Sequence, residues 1–334
     1  MRPWTTTLVV LRRSMLRVTR KRPSMAMTLQ SGQSERRRVM RQRRDWLGTV
    51  ERIATNDGVG IAYELRGTGR RVYVCHGGPA SDHRYLADDL DSLTRDYEFV
   101  FWDYRGSGAS DIADHSSYTL DRLADDLDNL RQGLGDDAIT VLGHSMGGFV
   151  TLTYALKYPQ HCDHLILAGT WPTQVPRRML PPTLRALGWA RCAKMLGRAC
   201  SWVVLYSWRA RTTEGRRRAY AIWTTMQEGR PEVRAAEAAR EDRLGLPLNN
   251  DNVRPLQRFL TSWDVTDRLR DIGCPVLVLY GSRDAAAVAG SRTLLARLPQ
   301  VVNRRLPDLG HDPFFEDLTS ASEAIHAFLA PDSR

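Results

Sequence analysis

Nothing in these 334 residues reads as a membrane span, because no apolar run approaches the ~20 residues a spanning helix needs. There is no internal repeat. A P-loop and a GxGxxG turn between strand and helix are both missing, so nucleotide-, dinucleotide- and Mg²⁺-dependent chemistry has no motif to rest on. Cysteine is scarce. The five present, Cys75, Cys162, Cys192, Cys200 and Cys274, show neither CxxC nor metal-ligand spacing. Their odd number and scatter fit buried thiols in a reducing compartment rather than a disulfide framework. The expected location is therefore cytoplasmic, and no cofactor or metal is expected.

What is present is ordinary globular composition, 42% hydrophobic and 26% charged. The net charge of +10 is unevenly spread. Residues 1–50 hold 13 Lys+Arg against 2 Asp+Glu, and the remaining 284 residues sum to −1. Such a charged tract cannot form a core, so residues 1–47 read as a basic disordered tail. "RRSMLR" resembles a twin-arginine export signal, but "VTRKRPS" follows where an apolar stretch is required. An Arg-rich tail attracts nucleic acid non-specifically; no specific nucleic-acid partner and no membrane partner is expected.

Ordered structure is expected from about residue 48. "ERIATNDGVGIAYEL" reads as a hairpin turning at Asn56-Asp57-Gly58. Strands are expected at 71–75, 97–103, 138–142, 164–169, 275–281 and 301–306. Leu120, Leu123, Leu127, Leu130 and Leu134 recur at helical spacing over 119–134, and further helices are expected near 289–298 and 317–329. Strands alternating with helices imply a mostly parallel twisted sheet covered on both faces. The alternation stops between 171 and 262, where only helical segments are read. This gives an α/β core over 48–170 and 263–334, interrupted by a helical cap over 171–262. The segment 171–260 carries 17 Lys+Arg and 7 Asp+Glu, and six of the nine tryptophans lie in 171–263.

"GHSMGG", residues 143–148, follows an apolar strand and opens a helix. Gly143-x-Ser145-x-Gly147 is the pattern of a sharp strand-to-helix turn that presents a serine hydroxyl above a sheet. Three fixed residues in five recur by chance, and it is the strand–helix context that gives the pattern weight. A serine needs a base, and the base needs an orienting acid. In this architecture they follow the serine in the order acid, histidine, on loops after later strands. "YGSRD" places Asp284 after the strand 275–281, and "LGHDPFFED" places His311 after the strand 301–306. Charge developing on a substrate oxygen needs donors. The expected ones are the N–H of Met146 and a glycine N–H of "HGGPA" (76–80), Gly78 before Gly77. His144 should point under the turn as a structural residue, and Asp312 should be a loop hydrogen-bonder.

"HGGPA", "DYRGSGAS" (103–110), "GHSMGG", "GSRD" and "GHDPFFE", in that order, resemble the α/β-hydrolase superfamily and, more narrowly, its proline iminopeptidase-like branch. The resemblance covers about residues 50–330, apart from the cap. It implies a serine hydrolase with Ser145, Asp284 and His311 as triad. The branch usually has HGGPG, Trp after the nucleophile and DQRG; here Ala80, Met146 and Tyr104 stand instead. The expected substrate is a hydrophobic small-molecule ester or amide, cleaved through an acyl-enzyme. A prolyl aminopeptidase and a non-catalytic binding protein are the alternatives. Trp223 and Glu228 are the candidate substrate contacts in the cap. The oligomeric state is not legible.

Overall fold

The computed structural model describes residues 50–78, 81–175, 178, 230–245, 256 and 262–330. All fall within the unit Trp46–Arg334. The eight strands are β1 (Glu51–Ala54), β2 (Gly60–Gly67), β3 (Arg70–Cys75), β4 (Tyr97–Trp102), β5 (Ile139–His144), β6 (Cys162–Ala168), β7 (Val276–Gly281) and β8 (Val301–Leu306). They form one sheet in the order β1-β2-β4-β3-β5-β6-β7-β8. The hairpin β1–β2 and the β2–β4 pair are antiparallel, and every later pair is parallel.

The central strands are apolar on both faces, as a sheet covered twice requires. Tyr73 and Cys75 of β3 and Val276, Val278 and Tyr280 of β7 face one layer. Val72, Val74, Leu277 and Leu279, one residue out of step, face the other. The first layer contains α2 (Leu120–Gly133), α3 (Met146–Lys157) and α5 (Ala285–Arg297). The second contains α1 (Arg84–Asp89), a single turn α6 (Pro313–Glu316) and α7 (Leu318–Leu329). In α2 the leucines at 120, 123, 127 and 130 are buried, and the Thr119 hydroxyl accepts from the Arg122 N–H to cap its start.

One boundary and two short helices differ from the sequence reading. Helix α5 starts at Ala285, because the Asp284 carboxylate caps the N–H groups of Ala286 and Ala287. The expected last helix is present as α7, opened by Asp317 capping the Ser320 N–H, but the turn α6 before it was not anticipated. Helix α1 was not anticipated. The expected cap falls largely outside the described residues, as do the tail, Trp223 and Glu228. Within it, α4 (Pro231–Leu244) is helical as expected. Thr173 bridges Asp264, and the Gln174 N–H donates to the Trp263 carbonyl at 2.8 Å, so the chain leaves β6 and returns towards β7 at one place. No helix among the described residues is long and apolar enough to cross a membrane.

Candidate active site

The site lies at the C-terminal ends of the parallel strands, where β3, β5, β7 and β8 run into loops. Strand β5 ends at His144, and Ser145 turns the chain directly into α3 with φ 54° and ψ −120°. A non-glycine residue in this region is strained, and the strain is held by packing and hydrogen bonds. The Ser145 N–H donates to the Ala168 carbonyl at 2.9 Å. A Cβ at Gly147 would lie 1.9 Å from the Cys75 carbonyl oxygen, and one at Gly143 would lie 2.6 Å from the Gly147 carbonyl oxygen. The small residues of "GHSMGG" are therefore required by contact between the turn and its neighbours.

The structure brings Ser145, His311 and Asp284 together. His311 Nε2 lies 2.9 Å from Ser145 Oγ, and His311 Nδ1 lies 2.6 Å from Asp284 Oδ2. With the Nδ1–H donating to the carboxylate, Nε2 presents its lone pair to the serine O–H. All three are buried, at 8%, 6% and 2% exposure. Asp284 divides its oxygens, Oδ1 capping α5 and Oδ2 holding the imidazole. Burial works to lower the His311 pKa, but the charges of Asp284, Asp312 and Glu237 and the hydrogen bond from Asp284 raise it above the ordinary histidine value.

Met146 is the first residue of α3, where N–H groups have no acceptor within the helix. Gly77 and Gly78 follow β3. The Gly77 N–H is already engaged, donating to Tyr85 Oη at 2.7 Å. Gly78 has φ 150°, a backbone conformation that suits glycine. The "DYRGS" segment anchors this loop: Tyr104 O–H donates to the His76 carbonyl at 2.6 Å, and Ser107 O–H to the Ser81 carbonyl at 2.5 Å. Asp103 accepts from the His83 N–H and from the Ala109 N–H, and its Oδ1 lies 2.9 Å from His83 Nδ1. His83 is fully buried; burial works to lower its pKa, but Asp103 and Glu64 push it up to about 9.

His144 is held under the turn, as expected. Burial lowers its pKa to about 4, so the ring is neutral. Its Nε2 lies 3.1 Å from the His311 carbonyl oxygen, which can only accept, so Nε2 carries the proton. Nδ1 then accepts from the Tyr85 O–H at 2.7 Å. A directed series results: Gly77 N–H to Tyr85, Tyr85 to His144, His144 to the backbone of His311. It ties the glycine loop to the loop that carries the imidazole.

Two residues of α4 reach the same place without having been singled out in the sequence. Arg240, 4% exposed at its side chain, reaches Asp89 Oδ2 at 2.5 Å and Asp312 Oδ2 at 3.0 Å. Asp312 also caps α6 through the Phe315 N–H, in line with its expected loop role. Glu237 is 6% exposed, and burial, reinforced by the Asp312 charge, raises its pKa to about 7. Neither had a local signal, since both sit in the charged run "PEVRAAEAAREDRL". Trp171 and Trp263 pack on Phe149, with ring centroids 5.5 and 4.5 Å away, and Trp171 lies 6.2 Å from the His311 ring. Among the described residues, no three His, Cys, Asp or Glu gather as a metal site.

The sheet order is that of the α/β-hydrolase fold, and a sequence model described as alpha/beta hydrolase fold matches residues 70–195. The chain is a hydrolytic enzyme of that fold. Its sequence is proline iminopeptidase-like. It is 39% identical over 117 residues to a proline iminopeptidase of Saccharolobus solfataricus, a match covering 34% of this chain and 38% of that one. It is 25% identical over 287 residues to a proline iminopeptidase of Lactobacillus delbrueckii subsp. lactis, covering 77% and 89%. An esterase structure from Exiguobacterium antarcticum shares the fold, with TM-score 0.68, 22% identity and coverage of 83% and 98%.

Proposed function

We propose that the protein is a serine hydrolase that cleaves an ester or amide through an acyl-enzyme. The observation that carries this is the unbroken hydrogen-bond series Ser145–His311–Asp284. Ser145 Oγ attacks the substrate carbonyl while His311 Nε2 takes its proton. Asp284 holds the Nδ1–H tautomer and stabilises the imidazolium. The oxyanion is met by the N–H groups of Met146 and Gly78, Gly77 being engaged with Tyr85. His311 then gives its proton to the leaving group, and water repeats the sequence to release the acid.

The substrate we favour is a neutral or weakly anionic hydrophobic ester or amide. Trp171 beside His311 offers an aromatic wall, and aromatic walls are usual in small-molecule sites. A second reading, a prolyl aminopeptidase, is favoured by one observation. Glu237 is a buried carboxylate whose charge is felt at His311, and a substrate ammonium could neutralise it. The relatives named proline iminopeptidases support the same reading.

A side-by-side assay of p-nitrophenyl acyl esters, prolyl-naphthylamide and its N-blocked form separates the two. The first reading expects the esters to have the higher kcat/KM and the blocked and free prolyl substrates to differ little. Strong preference for the free amine, lost in Glu237→Gln, would replace it with the aminopeptidase.

A further inference from the structure

Away from the serine site, two thiols face each other at the opposite end of the sheet. Cys162 is the first residue of β6, and Cys274 lies two residues before β7. These strands are parallel neighbours, with Leu165 opposite Val276 and the Leu165 N–H donating to the Pro275 carbonyl at 3.0 Å. The sulphurs are 3.6 Å apart. Cys162 is buried and Cys274 is half-buried, so one of the pair is open to a small reagent and the other waits behind it.

We propose that Cys162 and Cys274 form an oxidisable dithiol, a modification site that closes to a disulfide when a hydroperoxide reaches Cys274. A disulfide needs its sulphurs about 2.05 Å apart, so closure asks for movement of roughly 1.5 Å, shared between two strand ends. The two thiols are not equivalent. The hydrogen bond between the two sulphurs lowers the Cys274 pKa against the effect of burial, while the same bond and burial raise that of Cys162. Thiolate character and exposure decide which sulphur reacts first, and both select Cys274. Asp163, the acid beside the pair, is held by Arg70 at 2.5 Å.

The chemistry balances with the peroxide as sole oxidant. The Cys274 thiolate attacks one peroxide oxygen, the O–O bond breaks, and hydroxide leaves, giving a sulfenic acid. The Cys162 sulphur then displaces the hydroxyl group from the Cys274 sulphur. The S–S bond forms, and the thiol proton of Cys162 leaves with that hydroxyl as water. The two sulphurs are oxidised and the peroxide oxygens are reduced.

The link would span 112 residues of sequence, including all of 171–262. It would also lie far from catalysis along β6: Cys162 begins the strand, whereas Ala168 at its other end accepts from the Ser145 N–H. Closure should therefore constrain the unfolded chain without disturbing the serine. Cys75, the other described free thiol, is fully buried and pushed up to about 12 by burial, which removes it from the exchange.

The test is non-reducing peptide mapping of the full-length protein after brief exposure to hydrogen peroxide, with a melting curve on the same sample. The expected result is a Cys162–Cys274 peptide lighter by two hydrogens, and a melting temperature raised by a few degrees. Dithiothreitol should reverse both, and ester hydrolysis should change by less than twofold. Cys274→Ser should lose the link and the shift, whereas Cys192→Ser/Cys200→Ser should keep them. A link to any other cysteine, or oxidation of Cys274 to sulfinic acid with Cys162 left as a free thiol, would overturn the proposal.

Discussion

The imidazole of His311 sits between opposed influences. Burial disfavours its charged form, and the carboxylates of Asp284, Asp312 and Glu237 favour it and win. A base must be neutral to accept the Ser145 proton. Hydrolysis should therefore fall as pH drops through a value above about 6.5, the ordinary imidazole value. Stability runs the other way: a raised pKa in the folded state means the His311–Asp284 pair contributes fully below the unfolded value, and that contribution is lost as pH rises through the folded one. Removing one supporting charge should lower the limb. Glu237→Gln is expected to shift the acid limb of kcat/KM downward, read from a pH–rate profile on a p-nitrophenyl ester. An upward shift would show that Glu237 does not act on His311 by charge. The meeting of Ser145, Asp284 and His311 and the place of His144 under the turn were legible in the sequence, because strand-end loops of this architecture leave few places for them. Glu237 was not, because a carboxylate in a charged helix becomes special only when another element buries it.

Among the elements, α4 makes the contact with most bearing on the site. Its Arg240 joins Asp89 at the end of α1 to Asp312 beside the imidazole, and lies 4.2 Å from the Phe315 ring centroid. The two acids share the guanidinium unequally. Burial and the Asp312 charge raise Asp89 to about 8, while Asp312 is held below the usual carboxylate range by Arg240 against the effect of burial. Arg84 donates to the Leu244 carbonyl at 2.9 Å and Arg243 pairs with Asp88, so the helix is fastened at its C-terminal end as well. Arg240→Met should leave Asp312 buried without its cation, costing about 3 kcal/mol in urea denaturation. It should also lower kcat more than it changes KM, with partial recovery in Arg240→Lys. An unchanged kcat would separate α4 from the positioning of His311. The long elements were readable from period: alternating β-branched and aromatic runs for strands, and leucines at three and four for α2. The six residues of α1 are too short to show a period. The start of α5 was read four residues late, because "AAAV" presents no contrast of faces and Asp284 was read only as an acid.

Across the whole molecule, charge follows the division seen in sequence. Residues 171–260 carry a net +10 and residues 1–50 a net +11, leaving −11 for the rest. Three described arginines of the basic segment meet acids of the α/β core: Arg240 with Asp89 and Asp312, Arg243 with Asp88, Arg178 with Asp264 and Asp267; Arg230 pairs with Glu232 inside the segment. Part of the excess basic charge that the sequence assigned to the cap is thus spent on docking to the core. The same sheet that receives these contacts carries the serine at its strand ends, and the account stands or falls on that serine. The most direct measurement is labelling of the full-length protein with a fluorophosphonate, followed by peptide mass spectrometry, with Ser145→Ala assayed in parallel for ester hydrolysis. The expected result is a single adduct on Ser145, and an alanine variant that melts as the parent does with turnover reduced by orders of magnitude, up to about a millionfold. An adduct on another residue, or full activity in the alanine variant, would contradict it.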